Sequence, residues 1–293
     1  MMDRGMNLEG DDRLSSLPED LIYKILSYNG IKRAIKPSTL ASKWRYMWTA
    51  MPFLDFSSED FSTLTKFSAF VANVLSLRDN QAQVYSIKLR FVGDVSQDFV
   101  KQIMDYAFSH NIQRLDVTCL LEDHSVELPL SLFGSQSLKH LSLKRDFIVR
   151  WGESENFLFS YDLTTTSTWE LPALTSLCLG DLTLCDDSTD KHSGLFSKYL
   201  NLKNLTLRGC KFIGSSGLCI WHPLLADLTI YSVHGNKNFF IVVALQLKNL
   251  NIGGYWKLQY LVSAPELASL RFSGGARTKD RRDVCRSEKL PLR

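Results

Sequence analysis

The six-residue pattern LxxLxL, or a close variant, returns eight times along the chain: VYSIKL at 84, IQRLDV at 112, LKHLSL at 138, LTSLCL at 174, LKNLTL at 202, LADLTI at 225, LKNLNI at 247 and LASLRF at 267. Their starts lie 28, 26, 36, 28, 23, 22 and 20 residues apart. A recurring unit of this size cannot enclose a core of its own, so it folds only when the next copy stacks on it. Within each unit the last two apolar positions, two apart, predict a short strand that sends both side chains to one face. The long interval predicts an inserted loop over 145–170. Leu171-Pro172, His222-Pro223 and Ala264-Pro265 stop the preceding segment and set the chain for the next strand.

Ahead of the repeats the period changes from two to that of a helix. In LPEDLIYKILSYNG, Leu21, Ile22, Ile25 and Leu26 recur at helical spacing, and Pro18, Glu19 and Asp20 make a favourable first turn. Leu17 is left just outside this helix. Trp44 and Trp48 are four apart on a later helix, with Leu40 one turn before them. So small a segment does not bury two indoles well by itself, which predicts a docking module completed by a partner. Phe61, Leu64, Phe67, Val71, Val74 and Leu75 form one further apolar helix face, and Val100, Ile103, Met104, Ala107 and Phe108 another. These helices are expected to cap or back the early repeats.

The stretch from about 12 to 56 resembles an F-box as found at the N-terminus of plant F-box and leucine-rich-repeat proteins. The likeness is carried by Leu17-Pro18, Leu21, Ile25-Leu26-Ser27, Lys32, Ala34, Ser38, Leu40, Lys43-Trp44-Arg45, Trp48, Pro52 and Leu54-Asp55-Phe56. The resemblance implies an α/β protein, with an N-terminal helical F-box module followed by an irregular leucine-rich-repeat solenoid, a horseshoe. It also implies binding of a Skp-type adaptor, which links the chain to a cullin-RING ubiquitin ligase, through Leu17, Pro18, Leu21, Ile25, Leu40, Trp44 and Trp48. The repeats would then bind a protein substrate whose identity the sequence does not give.

Two places depart from the family pattern. Asn29-Gly30 stands where an apolar residue and proline are usual, and it favours a turn with positive φ. Pro37 falls where the second helix should run and would delay or kink it. The alternative is thus a leucine-rich-repeat interaction module outside any ligase, with a degenerate F-box. Relatives of this architecture often continue into a further C-terminal domain, and nothing after Phe272 resembles one. The last repeat is therefore expected to expose its apolar stack and sheet edge.

The expected domains are the F-box-like module at 12–56, a helical linker or cap at 57–83 and the repeats at 84–275, with a helix at 96–110. A basic, unfolded tail follows at 276–293. That tail holds seven Lys/Arg against three Asp/Glu, so it carries +4 of the net +3 and leaves the body at −1. With no aromatic interleaving or folded platform, the tail is disfavoured as a nucleic-acid binder. No run of apolar residues is long enough for a membrane span. Six cysteines without a CxxC pair fit reduced thiols and a cytoplasmic or nuclear protein. The six histidines show no paired spacing, and no nucleotide or nucleophile motif is present, so neither enzyme activity nor a cofactor is expected. Asp186, Asp187, Asp190 and His192 lack a metal-loop spacing and read as a solvated loop.

On the strands, positions beside the repeat leucines face outward and would line the concave surface. They include Lys88, Arg90, Arg114, His140, Lys144, Arg208 and Arg271, with Asp116 and Asp227 as the acids. This excess of cations, four of them in the first three repeats, is expected to favour an acidic or phosphorylated segment.

Overall fold

A computed structural model describes residues 17–28, 30–35, 46–93, 95–121, 134–147, 162–164, 170–186, 195–214, 218–235, 239–254 and 259–273. Asn29, Pro37, Leu40, Trp44, Asp187, Asp190, His192 and the tail at 276–293 lie outside the described residues.

Every one of the eight LxxLxL units carries a strand that begins two residues into it. These are β2 (Ser86–Val92), β3 (Arg114–Leu121), β4 (His140–Phe147), β6 (Ser176–Gly180), β8 (Asn204–Arg208), β11 (Asp227–Tyr231), β14 (Asn249–Gly253) and β16 (Ser269–Ser273). With β1 (Phe53–Ser57) they form a nine-stranded sheet in chain order. All its pairings are parallel and in register, as in Leu177 to Leu205 to Leu228 to Leu250. The unit's fourth and sixth residues point inward and are buried, and the residues between them face outward. At the last strand, Leu270 and Phe272 are 36% and 57% exposed, whereas their partners Leu250 and Ile252 are each 2% exposed. Among the described residues no strand pairs beyond β16.

Two smaller parallel sheets follow the same order. One is β5 (Asp162–Thr164), β7 (Thr183–Asp186), β9 (Lys211–Gly214) and β12 (His234–Gly235); the other is β10 (Leu218–Trp221), β13 (Phe239–Val243) and β15 (Gln259–Ser263). The expected insertion at 145–170 therefore contains strand at two places, the end of β4 and all of β5. The extra length of β4 has a partner because β3 is equally long, pairing up to Leu121 with Phe147.

The sequence reading puts residues 53–56 in the docking module and expects no strand there, whereas the structure makes Phe53–Ser57 strand β1. Its Leu54 and Phe56 are buried and it pairs with β2, so the module ends within the repeat sheet. Helix α3 (Leu64–Leu77) buries Phe67, Val71, Val74 and Leu75, and its Thr63 cap accepts from the Lys66 amide. Helix α4 (Gln97–Ser109) buries Val100, Ile103, Met104 and Ala107, and Ser96 caps it at the Phe99 amide. Phe67 packs edge-on against Phe99 at 5.7 Å, joining the two helices to one continuous core.

In the later units the strand is flanked by recurring turns. Before the strand, the amides of Leu174, Leu202, Leu247 and Leu267 donate to the carbonyls of Leu171, Tyr199, Ala244 and Ala264, three residues back. Pro172 and Pro265 take the second turn position, where a fixed φ suits the bend. After the strand comes a left-handed residue: Asp181 (φ 54), Gly209 (φ 62), Ser232 (φ 50) and Gly254 (φ 111). Their amides continue the ladder, donating to Arg208, Tyr231, Gly253 and Ser273 carbonyls at 2.7 to 3.0 Å. At Gly209 a Cβ would also overlap the Asp181 carboxylate.

The turn before β11 uses a side chain instead. His222, 1% exposed, lies against the Tyr199 carbonyl (Nε2 to O, 2.9 Å) and its Nδ1 accepts from the Leu224 amide at 3.3 Å. Since Nδ1 accepts, Nε2 carries the proton and the ring is neutral. Burial lowers its pKa, partly opposed by the Tyr199 carbonyl. The unfolded chain therefore takes up the proton first.

Two outcomes follow from these turns. Gly209→Ala is expected to destabilise the protein by at least about 1–2 kcal/mol from the left-handed backbone, with the clash added, measured by urea unfolding. Stability is expected to be fully present above pH about 6.5 and to fall as pH drops below it. His222→Gln, measured over the same pH series, should show lower stability at neutral pH and a flatter acid slope.

Candidate functional site

Two surfaces stand out. The first is the outward side of α1 (Glu19–Ser27), started by Pro18, whose carbonyl accepts from the Leu21 and Ile22 amides. Glu19 and Asp20 sit in its first turn, where their charge complements the helix dipole. Adjacent helix positions are about 100° apart, so the four apolar residues do not share one destination. Ile22 and Leu26 enter the core, while Leu21 is 47% and Ile25 40% exposed. With Pro18 and Tyr28, the latter 78% exposed, they form an apolar stripe at spacings of three, four and three.

The sequence-predicted adaptor residues thus divide. Pro18, Leu21 and Ile25 lie together on the exposed stripe. Leu17 and Trp48 are half-buried and pack against the core. Trp48 belongs to a single 3-10 turn, Met47–Ala50, rather than to a described helix. Tyr28 was not singled out from sequence, although continuing the 18, 21, 25 spacing by one step reaches it. The Asn29-Gly30 expectation of positive φ holds at Gly30, with φ 71.

A second helix, α2 (Gly30–Ile35), ties this module to the sheet. Lys32 Nζ donates to the Asp60 carbonyl and lies 3.7 Å above the Phe61 ring. Buried Arg78 follows α3 and bridges the two parts: Nη1 donates to the Trp48 carbonyl at 3.2 Å and Nε to the Tyr106 hydroxyl at 3.1 Å. Tyr106 in turn stacks on His110 at 4.0 Å.

The second surface is the outward face of the main sheet. Its charge is not distributed as the sequence alone indicates. Lys88 pairs with Asp55 at 3.1 Å, Arg90 with Glu59 at 3.2 Å and Arg114 with Asp116 at 2.7 Å. The acids come from β1, the turn after it and β3, so three of the four early cations are compensated locally. His140 is half-buried, and its pKa is lowered by burial and then by the neighbouring Arg114 cation. Lys144, Arg208 and Arg271 are exposed. Toward the end of the sheet Asp227, Thr229, Asn249, Asn251, Ser269 and Arg271 line a polar cleft of about 240 Å³. Within it Asn249 Nδ2 donates to Asp227 Oδ1 at 2.5 Å.

No model of a protein family matches the chain, and no solved structure matches it. Curated relatives do. An F-box/FBD/LRR-repeat protein of Arabidopsis thaliana is 28% identical over 86% of this chain and 58% of its own length. A second protein of the same description and plant is 29% identical over 69% of this chain and 47% of its own. An Arabidopsis FBD-associated F-box protein is 31% identical over 47% of this chain and 30% of its own. Over most of its length the chain is similar to plant F-box/leucine-rich-repeat proteins.

The chain spans about half the length, or less, of these F-box/leucine-rich-repeat relatives. Among the described residues no group of three His, Cys, Asp or Glu could hold a metal, and no helix is long and apolar enough to cross a membrane. Cys119, Cys178, Cys210 and Cys219 stand as thiols. Burial pushes the Cys210 thiol up to about 12, so it acts as a small apolar core residue.

The Arg78 bridge is expected to hold the first helices on the repeats. Arg78→Ala should cost about 1.5–3 kcal/mol for the charged hydrogen bonds lost, read by urea unfolding. Limited proteolysis should then release the segment before residue 53 faster than in the native chain.

Proposed function

We propose that the chain is the substrate-recognition subunit of an SCF-type (Skp-cullin-F-box) E3 ubiquitin ligase. The observation that carries this reading is the solvent-facing stripe Pro18, Leu21, Ile25 and Tyr28 on the first helix. An apolar line at helical spacing is the anchor pattern by which helices pack into a partner. Leu17, Leu40, Trp44 and Trp48 join it as further adaptor contacts. The repeats form a horseshoe-like solenoid whose outward sheet face, with Lys88, Arg90, Arg114, His140, Lys144, Arg208 and Arg271, selects the protein to be ubiquitinated. Catalysis then comes from the cullin-RING partners, and this chain acts by raising the local concentration of target. We place it in the cytoplasm, the nucleus or both, with neither membrane nor nucleic acid as a partner.

Gly30, with its positive φ in the turn after α1, favours the second reading, a repeat module with a degenerate F-box that serves no ligase. Recovery of a Skp-type adaptor from purified components separates the two. The native chain should retain the adaptor, and Leu21→Asp with Ile25→Asp should lose it by at least tenfold, since burying either side chain is worth about 1.5–3 kcal/mol. Both positions face solvent in the free chain, so the variant should keep the native circular dichroism. A folded native chain that retains no adaptor, or a variant that retains it fully, would overturn the ligase reading.

A further inference from the structure

Six polar side chains converge on the cleft near the end of the main sheet. Asp227, Asn249 and Ser269 stand in register on one outward row, and Thr229, Asn251 and Arg271 on the next. Leu228 and Leu250 lie between the rows with their side chains buried on the opposite face, so the floor is strand backbone and the lining is polar. One outward position further along, about 7 Å, the half-exposed Tyr231 ring lies over Gly253, where a Cβ would overlap its Cδ2 and Cε2. An aromatic ring thus stands beside a polar cleft of about 240 Å³.

Most of these polar groups have no partner in the fold. Asn249 Nδ2 donates to Asp227 Oδ1, which orients both side chains and leaves Asp227 Oδ2 and Asn249 Oδ1 as acceptors. The side chains of Thr229, Asn251, Ser269 and Arg271 make no hydrogen bond or ion pair among the described residues. Donors and acceptors are therefore mixed in one small space, with a single carboxylate and a single guanidinium. That mixture selects a ligand. An anion meets Asp227, and a cation meets Arg271. A free amino acid carries both charges but too close together, because Asp227 and Arg271 stem from strands two apart, roughly 10 Å across the sheet. Peptide main chain is neutral, yet it rises about 3.3 Å per residue when extended and so brings few polar groups into this volume. A hydroxyl both donates and accepts at one atom, so a ring bearing several can meet Asp227, both Asn amides and Arg271 together. A sugar ring has that density of hydroxyls, and the apolar C–H patches on its faces suit the Tyr231 ring. The volume, just under the range of about 300–1,000 Å³ for drug-sized ligands, fits one such ring.

We propose that this cleft binds one neutral sugar unit, free or at the end of a glycan. The site adds a ligand class to the outward sheet face, and it shares no residue with the apolar stripe on α1.

The test probes the purified full chain on a glycan array carrying neutral and acidic termini, with an array of unglycosylated peptides beside it. Two variants accompany it. Thr229→Val with Asn251→Leu removes the polar groups of the second row at nearly constant shape, and Asn251→Asp exchanges a donor for an acceptor that should pair with Arg271. Thr229 and Asn251 face outward and valine suits a strand, so circular dichroism should be native for both. The native chain should bind neutral termini, and each variant should weaken that binding at least about tenfold, the scale of one or two hydrogen bonds. Free glucose, galactose, mannose and N-acetylglucosamine are then titrated by saturation-transfer NMR. A free sugar that displaces the bound glycan assigns the site to the single unit, and glycan binding without displacement assigns it to the conjugated terminus; both support the proposal. No binding of any glycan or free sugar, binding of acidic termini only, capture of unglycosylated peptides only, or binding unchanged in either variant overturns it. Adaptor recovery is measured on the same preparations. Glycan binding without adaptor recovery supports the cleft and sinks the ligase reading; adaptor recovery without glycan binding sinks the cleft alone.

Discussion

The columns of inward side chains under the main sheet hold the rest of the structure in place, and they are buried only because another strand lies beyond them. Leu250 and Ile252 on β14 are 2% exposed, and Leu270 and Phe272, one strand further on and in register, are 36% and 57% exposed. Both pairs are apolar, and among the described residues β14 has a strand paired on each side while β16 has one on a single side. A fully buried leucine is worth about 1.5–3 kcal/mol over an exposed one, so each repeat is stabilised by its successor rather than by itself. The left-handed turns at Asp181, Gly209, Ser232 and Gly254 serve the same end. They bend the chain off the sheet while their amides extend the ladder to the next strand.

The opposite end of the stack is closed by the N-terminal helices. Strand β1 pairs with β2, and α1 and α2 share the core that begins with Leu54 and Phe56. An unpaired β2 would present a long parallel edge, and β1 removes it while drawing the helical module onto the sheet. Lys32 over Phe61 and Arg78 between Trp48 and Tyr106 fasten the junction. The apolar stripe on α1 and the outward sheet face are therefore parts of one continuous body.

Much of the repeat architecture was legible because its signal is local. A pair of apolar residues two apart, preceded by a leucine three before, predicts a strand wherever it occurs, and each of the eight units holds one. Strand β1 escaped because MPFLDF, a close variant of the unit with Met51 leading, overlaps the F-box-like segment and reads as part of it. The fate of Leu21, Ile22, Ile25 and Leu26 was half legible. Their spacing shows a helix, yet which pair enters the core depends on where that helix sits, which no local pattern contains. The charge pattern was the least legible. Lys88 reads as a free cation until Asp55, 33 residues earlier, is brought to its side.

By itself the sequence determined the kind of unit, its number and its register, because strand period and turn chemistry are properties of neighbouring residues. It also carried the F-box likeness in the type and spacing of residues along the first helix. Only the tertiary structure decided which apolar residues remain exposed and which cations are neutralised. Those outcomes depend on side chains far apart in the chain coming together across strands, and distance along the chain says nothing of that.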